Sequence, residues 1–175
     1  YYLIAIVVAF LLLNLPFVHK PGVKVSPIDT LFVAVSGISV TGLTPVSIID
    51  TYSSFGQLII LIILNIGGIG VMAIGTVLWV VLGKHIGMRE RQLIMLDNNK
   101  DTMSGTVKLI IEIVKTIMTI EIVGALLLAF YFYRDNPDLK NALMQGLFVS
   151  ISATTNGGLD ITGQSLVPYA KDYFV

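Results

Sequence analysis

Two short stretches of this sequence carry residues suited to holding a dehydrated cation: Ser39-Val40-Thr41-Gly42-Leu43 and Thr155-Asn156-Gly157-Gly158-Leu159. Each combines small side chains with glycine, so an extended backbone can turn successive carbonyls one way and replace an ion's water shell. Each also follows a short apolar run. A helix there would aim the negative, carbonyl end of its dipole at the same place, favouring a cation and repelling an anion. The glycines would otherwise serve only to terminate helices. Recurrence argues against that, because Leu31–Leu43 aligns without gaps on Leu147–Leu159, with Leu, Phe, Val, Ser, Gly and Leu in register. Such a match is the signature of a duplicated unit.

The elements that must position these stretches follow from hydropathy. Three long apolar stretches, Tyr1–Val18, Phe55–Leu82 and Val107–Tyr133, approach or exceed the ~20 residues that span a hydrocarbon core. The runs Ile28–Ile38 and Leu143–Ala153 are too short to cross and read as re-entrant helices. Ser26 suits the cap of the first, Pro27 its first position and Asp29 its first turn, while Pro137 and Asp138 open the second. Backbone that leaves a helix at membrane depth is tolerated where it lines a water-filled or ion-filled path. The sequence therefore predicts an all-α membrane protein built from repeated units of outer helix, re-entrant pore helix with filter strand, and inner helix. Residues 1–83 form the first unit, 84–104 a linker and 105–175 the second unit. The second unit reaches Val175 where its inner helix should begin, so the expectation is part of a longer protein. Tyr1–Val18 has neither a basic flank nor a small-residue cleavage site, and reads as a clipped transmembrane helix, not a signal peptide.

Composition agrees with a bilayer environment. The chain is 55% hydrophobic and 13% charged with a mean hydropathy of +0.86, too apolar for an ordinary soluble domain. A formal net charge of +0 with no long basic run gives no reason to expect nucleic acid as a partner. The chain contains no Cys, which excludes disulfides, thiolate metal sites and cysteine nucleophiles. Lys84, Arg89, Arg91, Lys100 and Lys108 concentrate around the linker, so it should face the cytoplasm and both pore loops should enter from outside. Within the linker, Met88–Leu96 suits a short interfacial helix able to lie on the membrane or dock a cytosolic partner. Charges in the third span need partners: Lys108 and Glu112 are placed for an i,i+4 pair. Glu121, deeper, is either part of a proton or ion relay or a carboxylate satisfied by a neighbouring helix or subunit; its peripheral helix favours the second.

Two motifs point elsewhere and fail on context. Gly68-Ile69-Gly70-Val71-Met72-Ala73 fits a dinucleotide fingerprint with Glu90 beyond it, but the apolar run continues through it and offers no exposed phosphate-binding amides. Gly67, Gly68 and Gly70 are assigned to close helix packing instead. His19 and His85 fall on opposite membrane faces and cannot share a transition-metal site.

In its motifs the sequence resembles the Trk/Ktr/HKT superfamily of potassium transporters, most of all the bacterial Ktr-type membrane subunit. The resemblance rests on Ser39-Val40-Thr41-Gly42-Leu43, on Phe55-Gly56-Gln57 leading to Asn65-Ile66-Gly67-Gly68-Ile69-Gly70, on Leu82-Gly83-Lys84-His85-Ile86-Gly87 with Arg89, and on Ser152-Ala153-Thr154-Thr155-Asn156-Gly157-Gly158. It implies potassium-channel-like units around one pore, with Gly42 and Gly158 at matching filter glycines. It also implies passage of K⁺, with Na⁺ as the alternative ion, no enzymatic step and no cofactor in this chain. The implied partners are a second membrane subunit, forming a homodimer in a bacterial plasma membrane, and a cytosolic ring of nucleotide-binding regulatory subunits. The rival reading is a non-conducting structural subunit whose linker docks a partner.

Overall fold

The computed structural model describes residues 2–81, 92, 106–135, 137–162 and 167. Helix α1 (Tyr2–Leu13) runs into a 3-10 turn (Pro16–Val18). Then come α2 (Pro27–Ser39), the single turn α3 (Ile48–Thr51), α4 (Ser54–Ile69), α5 (Val71–Val81), α6 (Thr106–Asp135) and α7 (Leu139–Thr154). No strand occurs among the described residues; an isolated antiparallel bridge joins His19 to Tyr52. The architecture is all-α, as expected. The interfacial helix expected at Met88–Leu96 lies outside the described residues, Gln92 apart.

Local chemistry explains most helix boundaries. Ser26 Oγ accepts from Ile28 N at 3.3 Å and Pro27 opens α2, so the first turn begins with one donor satisfied and one donor absent. Asp138 caps α7, its Oδ1 accepting from Lys140 N at 3.1 Å and its Oδ2 from Asn141 Nδ2 at 2.7 Å. At the end of α1, Asn14 Nδ2 donates to Phe10 O at 2.8 Å and Pro16 forbids continuation, so the helix stops short of the expected Val18. Ser53 then ties the start of α4 to the chain ahead of α2: its N and Oγ both donate to Val18 O, at 2.9 and 3.0 Å, while Oγ caps Gly56 N at 3.2 Å.

Helix α6 contains the apolar span Val107–Arg134, 28 residues of mean hydropathy 2.0, long enough to cross a membrane. The apolar stretch from Phe55 is not one continuous helix, contrary to expectation. It divides at Gly70, whose φ of 98° and ψ of 128° end α4 before α5 begins. A residue without Cβ adopts that conformation at little steric penalty, so Gly70 can end one helix and start the next. The expected Lys108–Glu112 pair is also replaced: Glu112 Oε1 accepts from Lys115 Nζ at 3.4 Å, with both groups exposed. The i,i+3 spacing is as close on the helix face as i,i+4, and such a pair adds little stability at a surface.

Helix α4 is the hub, touching α1, the 3-10 turn, α2, α5 and α7. Its buried Ile60, Ile63 and Leu64 share one core with Leu13, Val33, Ile38, Phe148, Ile151 and Leu159. Helices α6 and α7 form a close antiparallel pair. A Cβ on Gly146 would lie 2.6 Å from Ala125 O and Ala129 N, so glycine sets how near the two backbones come.

At the opposite end of the core Tyr52 is fully buried, its ring 5.3 Å from that of His19. Thr30 lies nearby, yet its Oγ1 donates to Ser26 O, and Tyr52 OH has no hydrogen-bond partner among the described residues. Burial, reinforced by the Asp29 charge, pushes the phenol from 10.0 up to about 12. A folded-state value above the unfolded one means stability is complete below pH 10.0 and declines toward about 12, where both states ionise. Thermal melts of the full-length protein should therefore lose stability across that window, and Tyr52→Phe should flatten the decline while changing the neutral-pH midpoint little, since the lost hydroxyl has no partner. An identical alkaline decline in the Phe variant would show that Tyr52 is not its source.

Candidate functional site

The two candidate stretches start where short helices stop, and both helices stop in the same way. At the end of α2, Val40 takes φ 55° and ψ 41° and Thr41 N donates to Ser36 O at 3.1 Å. At the end of α7, Asn156 takes φ 57°, Gly157 N donates to Ser152 O at 2.6 Å, and Asn156 N donates to Ala153 O at 3.2 Å. These are left-handed closures of the Schellman type, which consume carbonyls the last turn would leave unpaired. In the gapless alignment Val40 falls on Asn156, Thr41 on Gly157 and Ser36 on Ser152.

A second left-handed residue follows two positions later in each copy: Gly42 with φ 72° and Gly158 with φ 63°. The role of helix terminator is thus already filled by Val40 and Asn156. Gly42 and Gly158 must be left-handed for another reason, which lies in the path of the chain beyond the helix. Ser39 and Thr155, expected at the start of the extended stretches, are instead the last residue of α2 and the right-handed cap of α7. Of the remaining residues, Thr41, Leu43, Asn156 and Gly158 are exposed, Val40 and Gly42 half-buried, and Gly157 and Leu159 buried.

The two copies meet directly. A Cβ on Gly42 would lie 2.7 Å from Gly157 O and 3.1 Å from Gly158 Cα, and one on Gly158 would lie 3.5 Å from Gly42 Cα. Serine side chains support each loop from below: Thr41 Oγ1 donates to Ser36 Oγ at 3.0 Å, and Ser152 Oγ donates to Leu159 O at 2.9 Å. Both serines are buried and both belong to the repeat. Sequence reading used them only as matched letters, although a buried polar residue at the same position of two copies is itself a signal of a backbone needing a partner.

Helix α4 holds the two ends together. A Cβ on Gly67 would lie 2.6 Å from both Gly37 O and Ile38 O, at the carbonyl end of α2. One on Gly68 would collide with the Thr155 side chain at the end of α7, and Leu64 Cδ2 lies 2.8 Å from where a Gly157 Cβ would sit. Packing was the role expected of Gly67 and Gly68, and they have it. Glu121 on α6 is almost fully buried; its Oε2 accepts from Asn65 Nδ2 of α4 at 2.7 Å, while Oε1 has no partner among the described residues. A neighbouring helix does satisfy the carboxylate in part. No group of three or more potential metal ligands of the His, Asp or Glu type occurs among the described residues.

Over residues 5–175 the chain matches the TrkH family of cation transport proteins. It is 49% identical over 175 residues to Ktr system potassium uptake protein D of Bacillus subtilis, covering 100% of this chain and 39% of that protein. Over 156 residues it is 34% identical to the potassium/sodium uptake protein NtpJ of Enterococcus hirae, covering 89% of this chain and 34% of that one. Ktr system potassium uptake protein B of Bacillus subtilis is 33% identical over 172 residues, with 98% and 38% covered. The chain thus spans less than two fifths of the length of each of these relatives.

The geometry separates two glycines that the alignment makes equivalent. Alanine at either position meets a left-handed backbone, a penalty of roughly 1–2 kcal/mol. At Gly42 alone it also meets the Gly157 carbonyl, adding an overpacking term of about 1–3 kcal/mol. Gly42→Ala should therefore lower the melting temperature of the full-length protein clearly more than Gly158→Ala. Equal shifts, or the reverse order, would show that the two loops do not meet in this way.

Proposed function

The chain belongs to the TrkH family of cation transport proteins and is an integral membrane protein, and on that premise we propose that Thr41–Leu43 and Asn156–Leu159, joined by the helix ends Ser39–Val40 and Thr155, form part of a filter that passes K⁺. One observation carries the reading: two left-handed residues recur at matching positions, Val40 and Gly42 against Asn156 and Gly158, and the copies touch. In a regular strand successive residues alternate sides. Left-handed residues interrupt that alternation, as needed where successive carbonyls must face one ion. The helices α2 and α7 end at these loops, so the negative ends of two dipoles converge on the same region. The relatives' names, potassium uptake in two and potassium/sodium uptake in one, fit K⁺ as the main ion with Na⁺ as a second.

Under this reading α1, α2 and α4 with α5 make the first outer helix, pore helix and inner helix, and α6 and α7 the outer and pore helices of the second unit. Residues 84–104 are the cytoplasmic linker. The protein works as a membrane subunit of a multi-component uptake system, as a homodimer on a cytosolic nucleotide-binding ring, with its pore loops entering from outside. No covalent chemistry belongs to it. The rival, a non-conducting docking subunit, rests on the linker, which lies outside the described residues except for Gln92.

Two experiments test the proposal. In the full-length protein, with any cysteine outside this stretch replaced, a cysteine introduced at Arg91 should resist an impermeant external thiol reagent in intact cells and react after permeabilisation; ready labelling from outside would invert the topology. Serine at Gly42 or Gly158 of the full-length protein adds a small polar side chain to a left-handed position, which should tilt the ion-facing carbonyls without blocking the path. Uptake into liposomes should then show weaker discrimination of K⁺ over Na⁺ with cation flux retained. Unchanged selectivity in both variants at normal assembly would remove these stretches from the pore.

A further inference from the structure

We propose that the Asn65–Glu121 hydrogen bond is a selectivity-positioning pair, which fixes the Gly67–Gly68 step of α4 against the ends of both short helices and thereby sets the spacing of the two filter stretches. The inference rests on the filter reading above and adds to it two residues outside both filter stretches.

The pair closes a ring of contacts. Asn65 Nδ2 of α4 donates to Glu121 Oε2 of α6 at 2.7 Å. The backbone carbonyl of the same Glu121 accepts from Ser150 Oγ of α7 at 2.8 Å. A Cβ on Gly124, one turn along α6, would lie 2.5 Å from that Ser150 Oγ, so α6 and α7 are held at close range there. Ser150 leads up α7 to Thr154, whose Oγ1 donates to Ser150 O at 2.6 Å, and then to Thr155. Thr155 abuts Gly68 of α4, three residues from Asn65, which completes the ring. One residue thus ties its side chain to α4 and its carbonyl to α7, within a turn of the place where α4 meets both filter supports.

The chemistry is costly enough to need a reason. A carboxylic side chain at this depth of a spanning helix is expensive wherever it faces lipid. Glu121 faces α4 instead, is almost fully buried, and meets a side chain able to donate. Simple helix packing would be served as well by an apolar pair. A hydrogen bond is directional, whereas an apolar contact permits sliding, so this pair specifies the rotation and height of α4 relative to α6. Gly67 and Gly68 leave no slack to absorb a shift, since each sits where a single methyl group would collide.

The test uses the full-length protein in liposomes, reading K⁺ over Na⁺ discrimination beside total flux. Glu121→Gln keeps an oxygen that accepts from Asn65 and should retain selectivity. At a pH high enough to ionise both carboxyls, Asn65→Asp sets two acceptors against each other and should lower discrimination several-fold with flux retained. Combining the two, Asn65→Asp with Glu121→Gln, reverses donor and acceptor at unchanged length and should restore it. Wild-type selectivity in an assembled Asn65→Asp variant would overturn the inference, as would a double variant no better than the single one. Failure of both to assemble would assign the pair to folding alone and overturn it too. Gly42→Ser in parallel separates the two levels: if it alters selectivity while Asn65→Asp does not, the filter stands without the positioning pair. If neither does, the filter reading itself fails.

Discussion

Carbonyl groups at the end of α2 and the Thr155 side chain at the end of α7 approach α4 so closely that no side chain fits between them, and this approach is the constraint on which the rest of the structure depends. At Gly67 a Cβ would sit 2.6 Å from two carbonyl oxygens, and at Gly68 it would run into Thr155. A short helix that ends within a membrane leaves carbonyls without water and must be held where those groups find partners or an ion. Two adjacent glycines on one helix let a single element hold both ends at once. The apolar core follows from that placement, since Ile63 and Leu64 lie just before the glycines and pack with Ile38, Phe148, Ile151 and Leu159.

Backbone conformation beyond the helix ends is shaped by the same need. Val40 is β-branched, yet it occupies the left-handed region at φ 55°. That is a strained position, worth on the order of 1–3 kcal/mol, and it persists only where the surroundings over-determine it. Here the surroundings are the bonds to Ser36: the amides of Val40 and Thr41 both donate to its carbonyl, and the Thr41 hydroxyl to its side chain. The second copy reaches the same conformation with Asn156, a residue that tolerates it far better. Equal geometry from unequal residues means that the shape is set by the packing of the helix ends and not by local preference. In the proposed filter, such an over-determined backbone would hold the carbonyl directions fixed around an ion.

Many elements were legible from residue types alone. Ser26, Pro27 and Asp138 marked helix starts because capping is a local act between a side chain and the next two or three amides. The repeat was legible as well, since letters in register survive without any knowledge of folding. Other features were not. Gly70 sits in an apolar run that reads as unbroken, and hydropathy carries no record of a φ of 98°. The partner of Glu112 was expected one turn before it, at Lys108, and lies one turn after it, at Lys115, because both spacings are adjacent on a helix and only rotamers choose between them.

The sequence by itself determined that this is an all-α membrane protein of the TrkH kind, where its short helices begin, and which glycines are equivalent, because composition, caps and repeats are properties of neighbours along the chain. Tertiary structure alone decided that Gly42 lies against Gly157, that α4 seats both helix ends, and that Glu121 finds Asn65. Those contacts join residues dozens of positions apart. They exist only after the helices have packed, when the excluded volume of each backbone settles which atoms come within bonding distance.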